Sequence, residues 1–309
     1  MSKNKKIKSG VIVACIIIFV SVAVWYLIHT NIPVLEPKGT IGLKERNLLL
    51  FALALSAVVV IPVFFMLFSF VWRYRESKPK GKYSPEFDHS RPIEALWWLI
   101  PSILIAILSV VTWNSSHTLD PYQPIASKTP QMTIQVVAMD WKWLFIYPKQ
   151  QIASVNYVFM PINTPVDFEI TSDSVMNSFW IPQLGGQIYA MPGMFSQLHL
   201  MATSQGNFSG SSANISGRGF AGMTFVAHAA SEQSFLNWVK NVVKTPDHLT
   251  LSAYARLNRP SENNPVAYYS KPANNLFVGI ISRYMSLNST ASGNNSHSYN
   301  SAPTTEMMQ

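Results

Sequence analysis

Three apolar runs in the first 115 residues restrict this chain more than anything that follows them. Val11–Ile28 holds 18 residues without a charge, Leu48–Trp72 holds 25, and Ala95–Trp113 holds 19. Runs of that length can cross the hydrocarbon core of a bilayer, and there a helix satisfies every peptide group from within. Pro62 and Pro101 lie inside the second and third runs, where neighbouring helices can satisfy the freed carbonyl groups. Trp97 and Trp98 open the third run as an interfacial aromatic belt would. The basic residues gather at the ends of the runs. Lys3, Lys5, Lys6 and Lys8 precede the first, and Arg73, Arg75, Lys78, Lys80 and Lys82 follow the second. The positive-inside rule then puts the loop 73–91 and the N-terminus in the cytoplasm, and everything after Trp113 outside.

The charge distribution also excludes a function class. The chain is 48% hydrophobic and 12% charged, with a formal net charge of +8. Residues 1–115 carry 13 Lys and Arg against 6 Asp and Glu, whereas 116–309 carry 10 against 9. The excess sits beside the membrane runs, so the large C-terminal part has no basic surface for nucleic acid. Cys15 is the one cysteine, which excludes an intrachain disulfide and a thiolate cluster.

The first run has three readings: an uncleaved anchor, a signal cleaved further on, or a lipoprotein signal cleaved before Cys15. Ile12-Val13-Ala14-Cys15 loosely fits a lipobox. Only four apolar residues precede the cysteine, where a signal wants about 7–15, and the apolar run continues beyond it. That favours the anchor.

From Met132 the hydrophobic period changes. Met132–Val137 alternates at period two and reads as a strand. Val155–Met160, Val166–Thr171, Ser178–Ile181, Gln187–Ala190, Ser196–Met201 and Met223–Ala227 follow, divided by proline and glycine turns. Many short strands predict a sandwich or barrel. Ser231 caps a predicted helix to Lys244, a second helix is predicted at Asn275–Met285, and the Ser/Asn/Thr-rich stretch 288–309 reads as disordered. The expected organisation is an anchor at 1–30, a membrane hairpin at 31–115 with spans near 48–72 and 95–113, an external domain at 116–230, an extension at 231–287, and the tail.

The stretch Gly210–Met223, GSSANISGRGFAGM, is similar in order to the metal loop of cytochrome c oxidase subunit II, Gly-x-Cys-x-Glu-x-Cys-Gly-x-x-His-x-x-Met. Gly210, Gly217 and Met223 match. The cysteine positions hold Ser212 and Ser216, the glutamate position Asn214, and the histidine position Phe220; the first histidine ligand falls on Asn177. Serine hydroxyls do not ionise near neutral pH, phenylalanine donates no lone pair, and a binuclear copper site needs thiolates and imidazoles. Other landmarks stand in order: Glu36-Pro-Lys-Gly-Thr-Ile-Gly-Leu before the second run, Glu94 before Trp97, Asp140-Trp-Lys-Trp-Leu-Phe-Ile-Tyr-Pro, Asn177-Ser-Phe-Trp-Ile-Pro, and Ala190-Met-Pro-Gly-Met. Over residues 36–285 the chain resembles subunit II of the cytochrome bo-type ubiquinol oxidases. Tyr254–Met285 resembles the aromatic-rich extension of quinol oxidase subunits. Thr30 stands where the best-known relatives carry a lipoprotein cysteine.

The resemblance implies a membrane α+β subunit: transmembrane helices, a cupredoxin-like barrel or sandwich, and a short helical extension. It implies a heme-copper complex that oxidises quinol, reduces dioxygen and moves protons. Hemes, copper and ubiquinol would belong to partner subunit I, with subunits III and IV as further partners and no metal in this chain. It places Glu94 at the mouth of a proton pathway; the plainer reading is a helix-start glutamate favoured by the helix dipole. Trp141 and Trp143 fall where cytochrome c oxidases place electron-receiving aromatics. Without copper behind them, packing is the better reading. Met176, Met191, Met194 and Met223 cluster near the lost site and read as gap filling. His199 and His228 could approach each other, but a bonded strand histidine is the simpler reading. Gly217-Arg-Gly-Phe-Ala-Gly matches a dinucleotide fingerprint literally but lacks its strand–turn–helix context. The alternatives are a menaquinol oxidase subunit, a membrane-anchored copper electron carrier, and an assembly or binding module.

Overall fold

The computed structural model describes residues 32–74 and 89–295, the side chains of 286–295 excepted, together with Ile18, Ser21, Val22 and Trp25. Most of the span Val11–Ile28, Cys15 included, the bulk of the basic loop, Thr30 and the end of the tail lie outside the described residues. Two helices among the described residues are long and apolar enough to cross a membrane: α1 (Thr40–Arg73) and α2 (Arg91–Thr118). Both are longer than their apolar runs. Hydropathy marks only the part that crosses lipid, whereas helical hydrogen bonding continues to a cap. The 34 residues of α1 rise about 51 Å, well over the roughly 30 Å of hydrocarbon. Its first two turns therefore stand clear of the bilayer.

Those two turns are fastened to the β domain. The Lys38 amide donates to the Gln183 carbonyl at 2.7 Å, and the Thr203 amide and hydroxyl donate to the Lys38 carbonyl at 2.8 and 2.9 Å. Gly39 forms an isolated bridge with Ala202. A Cβ on Gly39 would lie 2.6 Å from the Leu184 carbonyl oxygen, so no larger residue fits this joint. The Gly186 amide donates to Glu45 at 2.9 Å. The segment leaving α2 is tied to the same domain, because the Pro121 carbonyl accepts from the His199 amide at 3.2 Å and lies 3.0 Å from His199 Nδ1.

The β domain is a two-sheet sandwich. Its strands are β1 (Met132–Met139), β2 (Lys142–Tyr147), β3 (Ile152–Val155), β4 (Tyr157–Pro161), β5 (Val166–Ser172), β6 (Asn177–Trp180), β7 (Ile188–Ala190), β8 (Ser196–Leu200), β9 (Gly206–Ser212), β10 (Thr224–Ala230) and β11 (Ala267–Ser270). One sheet has the order β11-β3-β2-β1-β5-β8 and the other β4-β10-β9-β6-β7. The pairs β1/β5 and β4/β10 are parallel; the rest are antiparallel. The single strand expected at Val155–Met160 is instead the end of β3 and most of β4, divided at Asn156. This residue has a φ of 54° and sends β3 and β4 to different sheets. Between the sheets lies an aromatic core. Trp143 meets Phe179 edge-on at 5.4 Å, and Phe179 stacks on Phe225 at 5.1 Å.

Every residue of β2 is buried, so its two faces need two covers. Trp143, Phe145 and Tyr147 enter the inter-sheet core. Leu144 and Ile146 face a second cluster with Val137, Met139, Leu249, Tyr254, Phe277 and Ile280. Helix α3 (Glu232–Val243) packs Phe235 and Val242 into the inter-sheet core, and the second cover comes from α4 (Leu251–Leu257) and α5 (Leu276–Asn295). The Ser231 hydroxyl accepts from the Ser234 amide at 3.2 Å and caps α3. Helix α5 runs on to Asn295, into the stretch read as a disordered tail. Its first turns are packed through Leu276, Phe277, Ile280 and Ile281, and once nucleated a helix propagates at low cost.

Phe277 is 4% exposed and Val278, its neighbour on α5, is 56% exposed. Phe277→Ala is expected to lower stability by about 3–5 kcal/mol, while Val278→Ala moves it by under about 0.5 kcal/mol. Denaturant titration of the detergent-purified chain checks both. Equal effects would mean that α5 does not cover the sheet.

Candidate functional site

The positions that would hold metal ligands come from three elements. Asn177 opens β6, Ser212 closes β9, and the loop from Ala213 returns through a 3-10 turn at Phe220–Gly222 into β10. Antiparallel pairing of β6 with β9 sets Phe179 opposite Ser212 and brings Asn177 beside the loop. The Ser212 hydroxyl donates to Asn177 Oδ1 at 3.1 Å and lies 3.5 Å from the Ser178 amide. Asn177 Nδ2 donates to the Val175 carbonyl at 3.0 Å, and Asn214 Nδ2 to the Met176 carbonyl at 3.0 Å. Ser216 Oγ lies 3.9 Å from Met223 Sδ. Asn177 is fully buried and Ser212 is 5% exposed. Asn177, Ser212 and Asn214 are thus joined in one hydrogen-bonded set, with Ser216 and Met223 beside each other. Phe220 begins the 3-10 turn.

A copper ion does not fit these side chains. Their donor atoms are neutral amide and hydroxyl oxygens already bonded to one another, and the one soft atom, Met223 Sδ, needs further soft or imidazole ligands to hold copper. Among the described residues, no three His, Cys, Asp or Glu side chains converge as metal ligands. The methionines divide: Met223 is buried at 1% exposure, while Met176 and Met194 are largely exposed. His199 lies on β8 with Nε2 3.7 Å from Asp167. His228 lies in the other sheet, with Nδ1 2.5 Å from Asn207 Oδ1.

Trp141 and Trp143 part company. Trp143 enters the core, and its amide donates to Asn156 Oδ1 at 2.9 Å. Trp141 has a φ of 63°, which turns its ring out against the loop, and its Nε1 donates to the Ser216 carbonyl at 3.2 Å. Between them Lys142 is buried. Its Nζ donates to the Arg259 carbonyl at 2.9 Å and to Ser261 Oγ at 2.5 Å. Burial pushes the Lys142 ammonium down from its usual range, and nearby Asp140 opposes that.

Glu94 lies in the first turn of α2, exposed, with Oε1 3.2 Å from the Ser90 amide that it accepts from. It satisfies one of the free donors at a helix start. Sequence reasoning missed a second polar centre. Asp173, with its side chain fully buried, pairs with Arg283 of α5 and accepts from the Tyr254 hydroxyl of α4. Burial pushes the Tyr254 phenol up, and the bond to Asp173 adds to the shift. Its partners are 81 and 110 residues away, so no local pattern marks it.

Comparison with known families agrees with this layout. Residues 42–114 match the model for the cytochrome c oxidase subunit II transmembrane domain, 147–230 that for its periplasmic domain, and 244–288 the COX aromatic rich motif. The cytochrome bo(3) ubiquinol oxidase subunit 2 of Pseudomonas aeruginosa is 52% identical over 249 residues, 81% of this chain and 75% of that protein. The ubiquinol oxidase subunit 2 of Acetobacter aceti is 45% identical over 82% of this chain and 83% of its own length. The quinol oxidase subunit 2 of Bacillus subtilis is 34% identical over 78% and 76%. With half its residues shared across three quarters of such a relative, and both the membrane and the periplasmic parts matched, the chain belongs to the quinol oxidase subunit 2 branch of the cytochrome c oxidase subunit II family.

Proposed function

We propose that this chain is the metal-free subunit II of a proton-translocating ubiquinol oxidase in a bacterial plasma membrane. It holds its β domain on the outer face and packs against subunit I, with subunits III and IV completing the complex. Hemes, copper and ubiquinol reside in subunit I. One observation carries the reading: Ser212 and Asn177 satisfy each other at 3.1 Å where a copper-bearing loop needs a thiolate and an imidazole. A domain so built cannot take an electron from a soluble donor and pass it inward, so reducing equivalents must enter through the membrane partner. The names of the relatives support quinol as donor. The orientation is supported by both helix ends at the β domain, through Gly39–Ala202 and Pro121–His199, with Arg73 and Arg91 at the far ends of the two helices.

Purification of the tagged chain from its own membranes in mild detergent tests this. Heme is expected to co-purify, and oxygen uptake is expected with ubiquinol and not with cytochrome c. A menaquinol preference would change the substrate. Activity only with cytochrome c, or a chain recovered without heme, would contradict the proposal.

Glu94 is assigned the proton-entry role. Glu94→Gln keeps an oxygen that can accept from the Ser90 amide but cannot ionise. Both Glu94→Gln and Glu94→Ala are expected to slow turnover about tenfold, equivalent to about 1.4 kcal/mol of barrier. Normal turnover in Glu94→Gln with slow turnover in Glu94→Ala would reduce Glu94 to a helix-start residue.

A further inference from the structure

The Gly217–Gly222 stretch leads through a 3-10 turn into a strand and not into the helix of a nucleotide site, yet three glycines in six residues call for a physical reason. Each one faces a close neighbour. A Cβ on Gly219 would lie 2.5 Å from the Trp141 ring and 2.8 Å from Glu262 Cγ. A Cβ on Gly222 would lie 2.6 Å from Asn263 Oδ1. Gly217 has a φ of 113° and lies against the edge of the same Trp141 ring, at 3.4 Å from its Cβ position. The loop is therefore pressed between Trp141 on one side and the turn 259–264 of the C-terminal extension on the other.

That turn is anchored where it meets the sandwich. Its Arg259 carbonyl and Ser261 hydroxyl accept from the buried Lys142 ammonium at 2.9 and 2.5 Å. The Asn264 carbonyl accepts from Asn156 Nδ2 at 2.9 Å, and Asn156 is the corner residue between the sheets. Ser261 Oγ donates to Asn264 Oδ1 at 2.9 Å and Asn264 Nδ2 donates to the Ser261 carbonyl at 2.8 Å, closing the turn on itself. Glu262 then reaches Arg218 at 2.7 Å, and the Arg218 guanidinium sits 5.9 Å from the centre of the Trp141 ring. The ion pair is largely exposed and contributes little alone. The steric fit and the two buried anchors carry the contact.

We infer that the turn 259–264 is the staple that fixes the Ser212–Met223 loop, in the place that metal–ligand bonds occupy in a copper-holding loop. The inference rests on the metal-free reading of that loop. It assigns Lys142 and Asn156 as positioning residues for the turn, and it gives a steric reason for glycine at 219 and a backbone reason for glycine at 217. The aromatic-rich extension thus has two tasks: it covers the outer face of the larger sheet and it holds this loop.

Amide hydrogen exchange on the intact detergent-solubilised complex tests the staple. Gly219→Ala forces a methyl group between Trp141 and Glu262. It is expected to raise exchange across 213–222 about tenfold or more, as a local opening, with β2 and β5 as protected as before. Lys142→Met, which removes the cation from the turn, is expected to do the same, and Glu262→Gln to have a much smaller effect. Unchanged exchange in 213–222 for both Gly219→Ala and Lys142→Met would overturn the staple. A copper chelator added to the unsubstituted complex separates the two levels. No change is expected. Deprotection of 213–222 by the chelator would overturn the metal-free reading itself, whereas inert substitutions with an inert chelator would remove only the staple.

Discussion

Burial of β2 on both faces is the constraint on which the rest of the domain depends. A strand reading Lys-Trp-Leu-Phe-Ile-Tyr with every residue buried cannot stand at the surface of a simple sandwich, where one face of each sheet meets water. The second sheet covers Trp143, Phe145 and Tyr147. The C-terminal helices cover Leu144 and Ile146. The extension is therefore part of the domain core rather than an appendage. The Asp173 centre follows from the same packing. Once α4 and α5 lie on the sheet, Tyr254 and Arg283 meet a carboxylate that has lost its water, and a buried carboxylate requires such partners.

The membrane part joins this core through backbone more than side chains. Lys38, Gly39 and Thr203 extend main-chain hydrogen bonding from the sandwich to the start of α1. The close approach at Gly39 leaves no room for a Cβ. A rigid joint of this kind sets the height of the β domain above the bilayer. It explains why the Pro-Lys-Gly-Thr motif stands where it does, between the loop and the span.

The two spans that became α1 and α2, the strand-rich domain and its family were legible in the sequence, because each rests on local pattern: apolar length, period-two alternation, or motif order. What was not legible rests on distant contact. Asn156 divides the strand expected at Val155–Met160 between two sheets, and its left-handed backbone is visible only once the corner is built. The Trp141–Lys142–Trp143 triplet reads as one aromatic cluster, but Trp143 is wholly buried in the core while Trp141, with a φ of 63°, packs at its edge against the loop. The glycines of 217–222 suggested a nucleotide fingerprint only by coincidence. Their neighbours are Trp141, Glu262 and Asn263, dozens of residues away. Hydropathy also could not show how far the helices run beyond lipid, nor that α5 continues to Asn295.

The loop is held by many weak contributions. A single protein hydrogen bond contributes roughly 0.5–1.5 kcal/mol net, so Ser212, Asn177 and Asn214 must act together with the turn 259–264 to do what a few metal–ligand bonds would do. The central claim is that this chain kept the fold and holds no copper of its own. Elemental copper measured on the purified chain, separated from its partner subunits and refilled with excess copper before exhaustive dialysis, tests that claim most directly. The expected result is no retained copper. Copper retained in stoichiometric amount would contradict the account at Ser212 and Asn177.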